Sequence, residues 1–184
     1  MTISCNVLSS GLVTSSNNLK NTEFSKLTQE DLFRRTSKSS PNLSIRKVRI
    51  VLRSYQKCFL KYIEKVHYIN FVIPELSIIK IYDSNINIKN VKSKQIKYDD
   101  KVLINMIKLE TGEQTSIIKL IIENYYQNLI SSFYIGYRAN FLSLLYLRFN
   151  EENKIIASAG SKLLKMRKDN NNLKIKVYNI KEDN

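Results

Sequence analysis

The residues in this chain whose types and spacing could do chemistry are its cations. Arg46, Lys47, Arg49, Arg53 and Lys57 crowd one short stretch, with Tyr55 among them, and Lys89, Lys92, Lys94 and Lys97, followed by Tyr98, form a second group. Cations two residues apart along an extended strand stand about 7 Å apart, which suits successive phosphates of one RNA strand. Phosphate neutralisation supplies most non-specific affinity for nucleic acid, and tyrosine or guanidinium planes can stack on unpaired bases. These eleven residues are the expected RNA-binding set. The competing reading is a solvated lysine-rich face left by codon composition. Ile (24), Asn (20), Lys (22) and Tyr (11) make up 77 of 184 residues, all read by A- and T-rich codons, so the Arg positions weigh more than the Lys.

Catalytic sets do not assemble. Four glycines at 11, 112, 136 and 160 cannot build a phosphate-cradling loop. A His-dependent triad would rest on His67 alone, and Cys5 and Cys58 stand far apart without a CxxC partner, so neither a disulfide framework nor a zinc site follows. Cys58 beside Phe59 and Leu60 reads as core packing. The neighbouring acids Asp99–Asp100 and Glu151–Glu152 read as solvated counter-charges. No catalytic residue, metal or cofactor is expected, and the chain reads as a non-enzyme.

The whole-chain charge agrees with a polyanionic partner: 30 Lys+Arg against 16 Asp+Glu give +14 at neutral pH. The chain is too poor in Gly and Pro for collagen-like or Pro-rich classes, and its 43% hydrophobic content allows a folded core. Phe133–Phe149 is the nearest approach to a membrane span, but Arg138, Asn140 and Arg148 interrupt it. The first residues lack the pattern of a secretory signal and contain no Arg before Arg34. The expectation is a cytosolic protein, or one made in the organelle that uses it.

The elements that must position these cations follow from periodicity. Residues 1–44 read as a polar extension with one helix from Thr28, where Asp31 follows the capping residue. Residues 45–137 read as the folded domain. Lys47–Arg53 alternates, with Val48, Ile50 and Leu52 inward, and predicts a strand with a basic outer face. Gln56–Tyr68 predicts a helix, Asn70–Tyr82 strand on either side of Pro74, and Asp83–Lys97 an exposed basic loop. Lys101–Leu109 predicts a strand, Thr111–Gln114 a capping box before an apolar helix, and Leu129–Tyr137 a last strand. The expected core includes Ile63, Ile104, Ile118 and Ile121. The order β-α-β-β-α-β predicts an α+β, ferredoxin-like split sandwich with a long basic β2–β3 hairpin. Residues 138–184 read as a basic C-terminal extension, with strand or helix at Phe141–Phe149, a short helix at Ser161–Lys168 and a strand at Leu173–Ile180. The extensions are expected to order against RNA or neighbouring proteins.

Lys47-Val-Arg-Ile-Val-Leu-Arg-Ser-Tyr55 resembles the first strand of the small-subunit ribosomal protein ten family, in the mitochondrial branch of plants and protists. Phe59-Leu60 and Pro74-Glu75 extend the likeness. A gapless register from there places Ile88, Gln95, Lys101, Ile107, Lys108, Glu110, Thr111 and Glu113 on matching residue types. It covers about residues 45–135. Around the hairpin the family's Ser-Pro-His is replaced by Ser84-Asn85-Ile86, and only Gln95 keeps the following motif. The resemblance implies a non-catalytic ribosomal constituent in the head of the small subunit, on the 3′ major domain of its rRNA beside head proteins three, nine and fourteen. It also implies an organelle, mitochondrial before plastid. The rival is a basic interaction protein on an anionic membrane surface, which an amphipathic helix with a basic side would favour.

Overall fold

Thr28 opens the first helix through a reciprocal cap. Its hydroxyl accepts a hydrogen bond from the Asp31 backbone N–H at 3.1 Å, while the Asp31 carboxylate accepts one from the Thr28 N–H at 3.1 Å. The helix, α1 (Gln29–Ser39), buries Leu32, Phe33 and Thr36. The computed structural model describes residues 27–66, 68–73, 77–85, 87, 94–135, 138–150, 152, 155–169 and 173–179. Cys5, His67, Pro74, Lys89 and Lys92 lie outside the described residues.

Ser44 caps α2 (Ile45–Lys65), accepting from the Lys47 N–H at 3.3 Å. This helix replaces the expected strand at Lys47–Arg53. Val48, Val51, Leu52, Tyr55, Cys58, Phe59, Tyr62 and Ile63 are buried, a three- and four-residue spacing that lines one side of a helix. The alternation within Lys47–Arg53 spans only two turns, and the longer pattern through Ile63 decides the conformation. Ile50, expected inside, is 47% exposed, and Val51, expected outside, is fully buried.

The chain then forms β1 (Tyr68–Ile73) and β2 (Ser77–Asp83), an antiparallel pair registered Tyr68 to Tyr82 and Ile73 to Ser77. These are the strands expected on either side of Pro74. A third strand, β3 (Lys94–Lys97), runs parallel to β1, with Asn70 opposite Gln95. Ile69, Phe71, Ile73, Ile79, Ile81 and Ile96 form the buried face of this sheet. It meets α2 where the Phe59 and Phe71 rings lie edge to face at 5.0 Å.

Two further expected strands are helical. Asp100 caps α3 (Lys101–Thr111), its carboxylate accepting from the Val102 and Leu103 N–H groups at 2.9 and 3.3 Å. Gly112 ends that helix with φ 71°, its N–H donating to the Lys108 carbonyl at 2.9 Å. The expected capping box at Thr111–Gln114 is therefore a helix–helix elbow. Next comes α4 (Thr115–Tyr134), whose N-cap Gln114 makes no side-chain capping bond. It buries Ile118, Ile121, Tyr125, Leu129 and Phe133, and it absorbs most of the strand expected at Leu129–Tyr137.

Within 45–135 the described order is thus α-β-β-β-α-α. The α+β class holds; the β-α-β-β-α-β order does not, and with it goes the split sandwich, while the expected basic hairpin loses its second strand because Lys101–Leu109 lies in α3. Short runs rich in Ile, Leu, Lys and Asn fit either period, and burial against a distant partner selects one.

The remaining elements share the same core. A small antiparallel sheet orders β4 (Ala139–Phe141), β5 (Leu145–Phe149) and β6 (Ile155–Ala159) consecutively. Its first turn holds Leu142 and Ser143 at φ 49° and 56°, the mirror-image turn that suits hairpin twist. Gly160 fits against this turn because a Cβ there would overlap the Ser143 carbonyl. Helix α5 (Ser161–Asp169) follows, and β7 (Leu173–Asn179) pairs antiparallel with β2 to complete the order β3-β1-β2-β7. Leu32 and Phe33 on one side, and Phe141, Leu142, Leu144, Leu145 and Leu147 on the other, bring the described parts of both expected extensions into one hydrophobic cluster.

Candidate nucleic-acid interface

Helical geometry re-sorts the expected cations. At 3.6 residues per turn, Arg46, Ile50, Arg53, Lys57 and Lys61 fall opposite the buried side of α2, and all five are exposed. The row from Arg46 to Lys61 is about 22 Å long at 1.5 Å per residue. Glu64, in line with it, ends the row.

The flanks of α2 carry Lys47 and Arg49 into ion pairs, and Lys57 of the row joins a third. Toward α1, the Arg49 guanidinium grips both carboxylate oxygens of Glu30, with Nε at 3.3 Å from one of them. That hydrogen bond is the main reason the Glu30 carboxyl is held below the usual carboxylate range and Arg49 is held above its own. Toward the elbow between α3 and α4, Lys47 meets Glu113 at 3.1 Å. Lys57 reaches Glu110 at 2.9 Å, which raises its pKa, yet 58% of its side chain stays exposed. Arg46, Arg53 and Lys61 have no ion pair among the described residues.

The expected stacking residues are not available. Tyr55 is only 1% exposed. It stacks on Phe59 at 6.2 Å and meets the edge of Phe141 at 6.1 Å, and burial pushes its phenol well above the ordinary value. Tyr98 is half-buried, with one face covered by Tyr126 at 4.2 Å. Lys94 turns onto the Tyr62 ring at 4.9 Å. Of the second expected group Lys94 and Lys97 are both exposed on β3, and Lys97 makes no such ring contact among the described residues.

Reading the segment as a helix would have added Lys61, one turn past Lys57, and set Lys47 and Arg49 apart as flank residues. Arg34 on α1 is a further exposed cation, 3.9 Å from Glu30. By register, Lys80, Lys97, Lys174 and Lys176 share the face of the larger sheet turned away from α2. There Lys176 stands 5.9 Å from the centre of the Tyr82 ring. The same face holds the edge-to-face pair of Tyr68 and Tyr82 at 6.1 Å.

Elsewhere, a cleft of about 440 Å³ opens between α2, β2 and α5, floored by Leu60, Ile63 and Ile81 and rimmed by Lys162, Lys165 and Asp169. Cys58 is buried, and desolvation raises its thiol pKa, so it is a poor nucleophile. Among the described residues no group of His, Cys, Asp or Glu side chains converges as a metal site, and no helix is long and apolar enough to cross a membrane. No protein-family model, curated protein or solved structure matches the chain.

Proposed function

We propose that the protein binds RNA through the exposed row of α2, as a non-catalytic constituent of the small ribosomal subunit in mitochondria. One observation carries the reading: Arg46, Arg53 and Lys61 project from α2 without an ion pair among the described residues, while the nearby acids Glu30, Glu110 and Glu113 are engaged with Arg49, Lys57 and Lys47. A predominantly positive row, with Glu64 at its end, attracts a polyanion and releases its counterions on contact. The ribosomal particle is the partner implied by the likeness at Lys47–Tyr55. Because that segment is a helix rather than the family's strand, the reading rests on charge placement first. The rRNA of the subunit head and head proteins three, nine and fourteen are the corresponding partners.

Sedimentation of tagged protein from organelle lysate tests the particle. Co-migration with small-subunit RNA in detergent is the expected result, and loss into the lipid fraction favours an anionic membrane surface instead. Replacing Arg46, Arg53 and Lys61 together by Gln tests the site. At about 0.7–0.9 units per phosphate contact, the slope of log affinity against log salt falls by about two to three units. An unchanged slope refutes the assignment.

A further inference from the structure

We infer that the α2 row grips the phosphate backbone of double-helical RNA, independent of sequence, rather than an unpaired strand. This rests on the RNA-binding reading above and narrows its substrate. Proteins that hold single strands combine a basic groove with aromatic platforms on which successive bases stack. The α2 row has the charge and lacks the aromatic platform. Every aromatic of α2 faces the core, Tyr55 at 1%, Phe59 at 0% and Tyr62 at 5% exposure. Tyr98, the other aromatic beside an expected basic group, already has Tyr126 stacked on it.

The shape of the row agrees. A 21-residue helix without Pro or Gly lacks a kinking residue and turns a convex surface to solvent, and a convex surface cannot enclose a flexible strand. Its exposed donors are ammonium and guanidinium groups one or two turns apart. An A-form duplex offers phosphates on a rigid surface and hides its base edges in a deep, narrow major groove. Ile50, the one apolar side chain in the row, meets ribose rather than a charged oxygen. Such an interface reads duplex shape and charge, without a base-specific contact.

The test uses the full-length protein and three RNA probes: a hairpin duplex of about 16 base pairs, the same duplex with its sequence shuffled, and an unstructured strand of equal length. Affinities are measured by fluorescence anisotropy at two salt concentrations. The expected result is at least tenfold tighter binding of the duplex than of the single strand, with the two duplexes within twofold. Arg53→Gln is expected to lower the duplex salt slope by just under one unit, with unchanged circular dichroism. A single strand bound as tightly as the duplex, or two duplexes differing more than tenfold, overturns this inference and leaves RNA binding standing. Failure of all three probes overturns the RNA-binding reading itself.

Discussion

Val51 and Ile50 adjoin in sequence and make opposite demands on the two conformations that Lys47–Arg53 could take. In a strand Ile50 would face the core and Val51 solvent; in α2 Val51 is fully buried and Ile50 is 47% exposed. Val51→Ala deletes two buried methyl groups, about 0.8 kcal/mol each in transfer terms. The residual cavity adds about 24 cal/mol per Å³, and the better helix propensity of Ala returns about 0.5 kcal/mol. The net loss is about 1.5–2.5 kcal/mol. Ile50→Ala removes more atoms, but from a site already half in water, and the same propensity gain offsets most of the cost, leaving less than about 1 kcal/mol. In urea, with a slope of about 2 kcal/mol per molar, Val51→Ala should lower the unfolding midpoint by about 1 M and Ile50→Ala by under about 0.5 M. The reversed order would mean that this segment is a strand, and the α2 row would fall with the helix.

Five further outcomes follow from particular contacts. The Tyr125 hydroxyl donates to the Asn140 carbonyl and accepts from the Leu142 N–H, both at 3.2 Å, so Tyr125→Phe should cost about 1–3 kcal/mol in urea unfolding. Tyr126→Phe should be neutral or stabilising by the same measurement, because its buried hydroxyl has no hydrogen-bond partner among the described residues. At Gly112, φ 71° with open space around the missing Cβ predicts a loss of about 1–2 kcal/mol for Gly112→Ala. Gly160→Ala should cost more in thermal unfolding, since its Cβ would meet the Ser143 carbonyl. Glu30→Gln should lower stability at neutral pH. The folded-state pKa of Glu30 lies below its ordinary value of 4.5, so its contribution is complete above that value and is lost as pH falls through the depressed one. Melting curves of parent and variant should converge in acid, and a gap that widens there would contradict the Arg49 pairing.

Local signals in the sequence were read correctly where they did not depend on a remote partner. Thr28 with Asp31 marks a helix start, strand-forming runs on either side of Pro74 mark β1 and β2, alternation marks β7, and Ser161–Lys168 marks α5. The α3 segment shows what local reading misses. Val102, Leu103, Ile104, Met106, Ile107 and Leu109 suit a buried strand by composition, yet only Leu103, Ile104 and Ile107 are buried, at helical spacing. Asp100 before them and Gly112 after them are the cap signals that separate the two readings, and Asp100 reads from sequence alone as a solvated counter-charge. At the site, the cations themselves were legible and their availability was not. Whether Lys47 or Arg49 is free depends on Glu113 and Glu30, which only the tertiary fold brings alongside. Tyr55 left the site for the same reason: a half-turn of helix separates an exposed ring from a buried one. The parallel placement of β3 beside β1 had no signal in either segment.

The pairing of β7 with β2 joins residues about a hundred positions apart, Ser77 with Asn179 at one end of the ladder. During synthesis, β2 must wait beside β1 with one row of backbone donors and acceptors open until the β7 residues have emerged. Closing so large a loop is entropically slow, and a waiting edge rich in Ile is an invitation to pair with another copy. The nascent protein is therefore most vulnerable just before β7 emerges, and deleting β7 would prolong that hazard indefinitely.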